Sequence, residues 1–311
     1  MKERSSIILK LIVTHILPII ALTCFSFFSG LYPLIFLALA QTVLLIIFLA
    51  GYWEFFGNRF KLIFCLSAEL ILIFAFARHS GSLFHFESDT WCFALLAVEA
   101  YLIYELIKIT LVRLLHEQGS MEIEFPLKNG TYLITDGGNS SLSRLMNYHF
   151  HSSVHKKKKT NTSMKFATDI VKFGTGISNF MPTNNEEYPI FNEELFSPLD
   201  GIVVKVVNDI DDNTPFSGNY PYNTGNHVVI RKDYLYLLLG HLRKDSILVK
   251  EGDILRRNDR IGSAGNSGMS ERPHLHMQLM KSDDGNYWSG TGISIRFRNR
   301  NIYKNRAISL K

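Results

Sequence analysis

The chain has 311 residues, 47% of them hydrophobic, and a formal net charge of +5. It is long enough for more than one folded unit, and its apolar residues crowd into the N-terminal part. The positive charge comes with no recognised binding motif or aromatic-basic platform, which argues against a nucleic-acid partner.

Four apolar stretches, 6–28, 32–50, 60–77 and 91–111, are each near the ~20 residues with which a helix crosses a bilayer. They predict about four transmembrane helices within a membrane domain over 1–115, in contact with membrane lipid. A signal peptide followed by a buried helical domain fits less well, because the apolar segments repeat and no small-residue cleavage site stands out. Glu69, Glu99, Glu105 and Lys108 fall within or beside these stretches, and Glu105 and Lys108 are spaced to pair on a helix. Without inverted repeats, an anchor is a better reading than a transporter. Lys2, Arg4 and Lys10, then Arg59 with Lys61, then Lys108 with Arg113, each favour the cytoplasmic side. Four helices with those charges would leave the C-terminal part in the cytoplasm.

Residues 116–136 are read as a connector with the first strands. Further on, Asp169 sits among apolar neighbours in 165–171, as in a buried strand, where an unpaired carboxylate is costly unless a cation meets it. The Lys156–Lys159 run, with its Thr and Asn neighbours, reads as a solvated insertion loop. From Lys205 onward, strand-like runs such as 227–231 and 234–239 are punctuated by Gly and Asn, which predicts a mainly antiparallel β domain with little helix. Residues 209–224, rich in Asp, Asn, Pro and Gly, read as a loop.

His241 ends one of these strand-like runs. In Arg272-Pro273-His274-Leu275-His276-Met277-Gln278, an extended backbone puts His274 and His276 on one face. Two imidazoles so placed suit zinc chemistry, one as ligand and one handling a proton. All three cysteines, Cys24, Cys65 and Cys92, lie in or beside the apolar stretches, which excludes a disulfide or a cysteine zinc site in the C-terminal half. Residues 291–311 read as a basic C-terminal tail, which either attracts anionic lipid and wall polymer or is an ordinary solvated face.

Taken in order, Phe196-Ser197-Pro198-Leu199-Asp200-Gly201, Gly225-Asn226-His227, Gly240-His241, the turn Ser263-Ala264-Gly265-Asn266-Ser267-Gly268 and His274-Leu275-His276 resemble the lysostaphin-like zinc peptidases. These are bacterial enzymes that cut peptidoglycan peptides, and the resemblance runs over about 137–280. It implies a lysostaphin-like, duplicated-hybrid-type β peptidase domain over 137–290, with a groove and Zn2+ at its floor. By the same resemblance Asp169 and His276 are metal ligands, while His241 and His274 are catalytic residues that do not hold the metal.

The first ligand departs from the common pattern. Many members place a histidine four residues before the aspartate, where this chain has Lys165, a cation with no lone pair to offer. The run from Gly137-Gly138-Asn139-Ser140 to Asn147-Tyr148-His149 is similar to a family variant that supplies the ligand from upstream. It implies His149, with His151 and His155 as rivals. The resemblance therefore implies a membrane-anchored zinc metalloendopeptidase acting on peptidoglycan stem or cross-link peptides, with its catalytic domain outside the cytoplasmic membrane, against the simple charge count. The alternative is an inactive relative that binds and activates another wall hydrolase. Oligomeric state is not given by the sequence.

Overall fold

The N-terminal apolar stretches form helices: α1 (Lys2–Leu11), a π-helical stretch (Ile12–Ile16), α2 (Leu17–Phe28), α3 (Pro33–Ala50), α4 (Gly57–His79) and α5 (Thr90–Leu114). Pro33 opens α3, where its fixed φ suits the first turn and its missing N–H costs no helical bond. Ile19 of α2, Leu37, Ala40, Leu44 and Ile47 of α3, and Ala68, Leu72 and Ala75 of α4 close around Trp53 in one apolar cluster. Between α3 and α5, the Thr42 hydroxyl donates to Glu99 Oε1 at 2.6 Å in a buried setting, and on α5 Lys108 pairs with Glu105 at 2.7 Å.

The computed structural model describes residues 2–28, 32–55, 57–79, 81, 90–115, 117–138, 142–151, 153–154, 159–160, 162–173, 181–217 and 224–310, without the side chains of 2–4, 6, 10, 22, 25–28, 57, 58, 151, 153, 154, 159 and 160. It divides into two units, Lys2–Leu111 and Val112–Lys311. All four apolar stretches are helical, and two helices, Pro33–Ala50 and Arg59–His79, are long and apolar enough to cross a membrane among the described residues. α5 is longer but carries Glu99, Glu105 and Lys108. Leu62, Ile63, Leu66, Leu70 and Phe74 of α4 are exposed, as side chains facing hydrocarbon would be.

The C-terminal unit is built on a nine-stranded sheet. Its strands are β1 (Gly130–Gly137), β2 (Thr168–Lys172), β3 (Gly201–Val207), β4 (Asn226–Lys232), β5 (Leu235–Leu242), β6 (Ile254–Leu255), β7 (Leu275–Lys281), β8 (Thr291–Ile293) and β9 (Ala307–Leu310). The order is β6-β3-β4-β5-β7-β2-β1-β9, with β8 added to β7. Every pairing in it is antiparallel. Alternate residues such as Ile134, Ile170, Val203, Val228, Ile230, Leu237, Leu239, Leu275 and Met277 face one core, as a two-residue side-chain period requires.

The segment expected to be a basic tail is part of the fold. β8 pairs with the end of β7, and β9 pairs with β1 at the sheet edge. Ile295, Phe297 and Ile302 join the core, so the charges of 291–311 alternate with anchoring apolar residues and the segment is not free chain. The connector likewise delivers Ile123, Phe125 and Leu127 to that core. At the expected insertion loop, Ser153–Val154, just before the Lys156–Lys159 run, pairs with Lys159–Thr160 at its end as a short antiparallel ladder. Asn139, Ser140, His155, residues 156–158 and residues 218–223 of the 209–224 loop lie outside the described residues.

Candidate active site

The site forms where β7 meets β2 on one side and β5 on the other. Register places His276 opposite Asp169 of β2 and opposite Gly240 of β5, so the His276 and Asp169 side chains share a face of the sheet. His276 Nδ1 lies 2.9 Å from Asp169 Oδ1.

His149 reaches the same carboxylate from a short helix, α6 (Tyr148–His151). Asn147 sets that helix: its Oδ1 accepts from the Phe150 N–H at 2.9 Å, and its amide nitrogen donates to the Lys165 carbonyl at 3.0 Å. The side chain that caps α6 therefore also ties it to the segment leading into β2. His149 Nε2 lies 3.1 Å from Asp169 Oδ2 and 3.5 Å from Asp136 Oδ2. Asp136, opposite Asp169 on β1, also accepts from the Tyr148 N–H at 3.1 Å.

His241 arrives by an irregularity. Gly240 is the residue beside His276, so regular alternation would send the next side chain to the other face. Between the pairs Asn226–Leu242 and Val228–Leu239 the ladder bulges, and His241 takes φ +60°. A left-handed non-glycine residue costs about 1–3 kcal/mol and persists only where the surroundings hold it. Here three hydrogen bonds do: His241 N–H to Thr224 O at 2.8 Å, Gly265 N–H to His241 O at 3.0 Å, and His241 Nδ1 to Ser267 O at 2.8 Å. The ring then lies 4.7 Å from that of His274 and 5.6 Å from that of His276, centroid to centroid.

Carbonyl acceptors settle two tautomers. Nδ1 of His241 faces Ser267 O, and Nδ1 of His274 faces Arg272 O at 2.9 Å, so each Nδ1 donates and each Nε2 is left as the basic nitrogen. His274 Nε2 points towards Asp169, 3.7 Å from Oδ1. Burial holds the His241 pKa well below the usual imidazole value, and the neighbouring His274 and His276 add to this. Burial also lowers His274, with partial opposition from Asp169. For His149, burial acts downward but the Asp169 carboxylate and then Asp136 outweigh it, pushing the pKa up to about 9. Asp169 is held well below the usual carboxylate range, since His149, His274 and the hydrogen bonds overcome its burial.

All five predicted site residues thus come together. One ligand atom from each of His149, Asp169 and His276 lies within 4.8 Å of the others, and this is the group among the described residues that could hold a metal ion. Two imidazole nitrogens and a carboxylate oxygen are a donor set that zinc takes. The His151 side chain and all of His155 lie outside the described residues. Sequence reasoning missed Asp136, Asn147 as the cap, and Gln278, whose Oε1 is 3.2 Å from His276 Nε2. For Gln278, its spacing of two from His276 was a signal in plain view.

Residues 187–288 match the family described as Peptidase family M23. The chain carries an M23 peptidase domain. The matched residues contain His241, His274 and His276 and stop short of His149 and Asp169, which the sheet register and α6 bring to the M23 domain. Peptidoglycan DD-endopeptidase ShyA of Vibrio cholerae is 33% identical over 100 residues, 32% of this chain and 20% of that protein. An uncharacterized metalloprotease of Buchnera aphidicola is 30% identical over 103 residues, 33% of this chain and 26% of its own length. The chain therefore spans about a fifth to a quarter of these curated relatives. The catalytic domain of the prophage-encoded M23 protein EnpA from Enterococcus faecalis is 19% identical at a TM-score of 0.31, over 52% of this chain and 88% of that one. An overlap that loose does not by itself inform the fold.

Proposed function

We propose that the chain is a zinc-dependent endopeptidase, held at a membrane by its N-terminal helices, that hydrolyses stem or cross-link peptides of peptidoglycan. The observation that carries this reading is the placement of His149, Asp169 and His276 around one point, with two neutral histidines, His241 and His274, beside it. The first three would hold the ion. Zinc, when bound, supplies a Lewis acid that polarises a carbonyl and acidifies water.

The chain's own groups supply the rest. With their pKa values lowered, His241 and His274 stand unprotonated at neutral pH, so a basic Nε2 is ready to take a proton from the attacking water. The same nitrogen returns a proton to the leaving amine as the carbon–nitrogen bond breaks, which leaves the imidazole as it began. The Ser267 and Arg272 carbonyls keep both rings in the required tautomer through the cycle. Asp136 and Asp169 keep His149 aimed at the site.

The substrate class rests on the M23 domain and on a relative named as a peptidoglycan DD-endopeptidase. Because wall peptides lie outside the cytoplasmic membrane, the domain is placed there. An inactive relative that activates another hydrolase is disfavoured by the presence of all five side chains. The test is to incubate the detergent-solubilised chain with peptidoglycan fragments and to identify new amine termini by mass spectrometry, with and without chelator. Cleavage that zinc restores after chelation is expected; intact fragments under every metal condition would refute the activity.

A further inference from the structure

His276 and Gln278 are two apart on β7, so their side chains stand on the same face of the strand. His276 presents Nδ1 to Asp169 Oδ1 at 2.9 Å and Nε2 to Gln278 Oε1 at 3.2 Å. Gln278 is only 1% exposed, and its amide nitrogen donates to Met280 Sδ at 2.9 Å. A thioether sulfur accepts hydrogen bonds and does not donate them, so this contact orients the amide with its nitrogen on the sulfur and its oxygen on the ring. An amide oxygen only accepts. The ring nitrogen facing it must then carry a hydrogen, which leaves the lone pair of the neutral ring on Nδ1, the side where Asp169 and His149 lie.

We propose that Gln278 is a positioning residue that holds His276 as the Nε2–H tautomer and aims its Nδ1 lone pair at the metal. The inference rests on the reading of His276 as a zinc ligand. Ligating imidazoles are commonly fixed through the second ring nitrogen by such an acceptor, and losing it weakens metal binding by ~10–100-fold. A buried primary amide does this without placing another negative charge beside Asp169. Met280 extends the arrangement by one more residue on the same face, because its sulfur keeps the amide from turning over.

The experiment measures zinc dissociation constants by chelator competition on the full chain in detergent, for wild type, Gln278→Met, Gln278→Glu and His276→Ala. In parallel, ¹⁵N NMR of histidine-labelled, zinc-loaded protein reads the hydrogen on His276 Nε2. Gln278→Met keeps the volume and replaces the amide oxygen by a much weaker thioether acceptor, so it should bind zinc up to ~10–100-fold more weakly and its Nε2–H should lose protection from exchange. Gln278→Glu restores an acceptor at the same place and should recover both. A merely structural role would lower the unfolding temperature and leave the Nε2–H signal as in wild type. Unchanged zinc binding in Gln278→Met, with His276→Ala defective, overturns the inference and leaves the ligand reading standing. Unchanged binding in both overturns the two together. Should Gln278→Met fail to fold, a wild-type spectrum with no hydrogen on Nε2 would by itself refute the assignment.

Discussion

His276 and Asp169 are cross-strand neighbours on β7 and β2, and the imidazole Nδ1 lies 2.9 Å from the carboxylate Oδ1. Sheet register alone sets this pair, so either partner can be changed without moving the other's backbone. His276→Ala and Asp169→Ala are each expected to lose most of the ~1 zinc per chain expected for a three-ligand site. Metal analysis of the purified protein checks this. Full zinc content in either variant would show that the site is elsewhere.

The upstream ligand separates from its rivals by activity. His149→Ala should abolish hydrolysis, because His149 Nε2 is 3.1 Å from Asp169 Oδ2. His151→Ala and His155→Ala should keep most of it. An inactive His155→Ala beside an active His149→Ala would reverse the assignment.

His241 and His274 should behave differently from the ligands. Replacing either by alanine is expected to retain zinc while turnover falls by ~10²-fold or more, the scale of losing a positioned proton-transfer group. Zinc content and kcat measured on the same preparations make the comparison. Loss of metal equal to that of His276→Ala would mean that ligand and proton carrier have been exchanged.

The charge state of the metal-free site predicts a pH profile. His149 has its pKa raised from 6.5 to about 9, so its contribution to stability is full below 6.5 and is lost as the pH rises through 9. Asp169 is shifted the other way from 3.8, so its contribution is present above that value and is lost on acidification below it. Burial lowers His241 and His274 from 6.5, so charging them removes stability on acidification below that value, and the metal-free chain should therefore have its highest unfolding temperature near neutral pH and become less stable towards pH 9. His149→Ala should flatten the alkaline arm. Since a ligand must shed its proton, zinc affinity should rise over that same alkaline range. A wild-type unfolding temperature constant from near neutral pH to beyond pH 9 would exclude the ion pair.

The side of the membrane can be read by fusion. With alkaline phosphatase attached after Lys311, activity in intact bacteria is expected, because that reporter works only when exported. A fluorescent protein at the same point should stay dark. Strong fluorescence without phosphatase activity would put the domain in the cytoplasm, where the positive-inside count places it, and would remove the wall-peptide substrate.

Local pattern was enough for much of this protein. The apolar stretches show as helices, the strand-like runs as an antiparallel sheet, and His274 with His276 as side chains on one face, because each depends on the fixed periods of helix and strand. Tertiary structure decided the rest. His241 joins the site only because β5 bulges beside β4 and three hydrogen bonds hold a left-handed backbone, and no residue pattern spells out a bulge. Asp136 and Gln278 acquire roles from what register and packing place beside them. The basic segment 291–311 looked like free chain because its strands are short, and it is folded because β1 and β7 offer edges whose backbone groups need partners. Spacing along a chain reports which face a side chain takes; which distant strand supplies its neighbour is settled only when the sheet closes its hydrogen bonds.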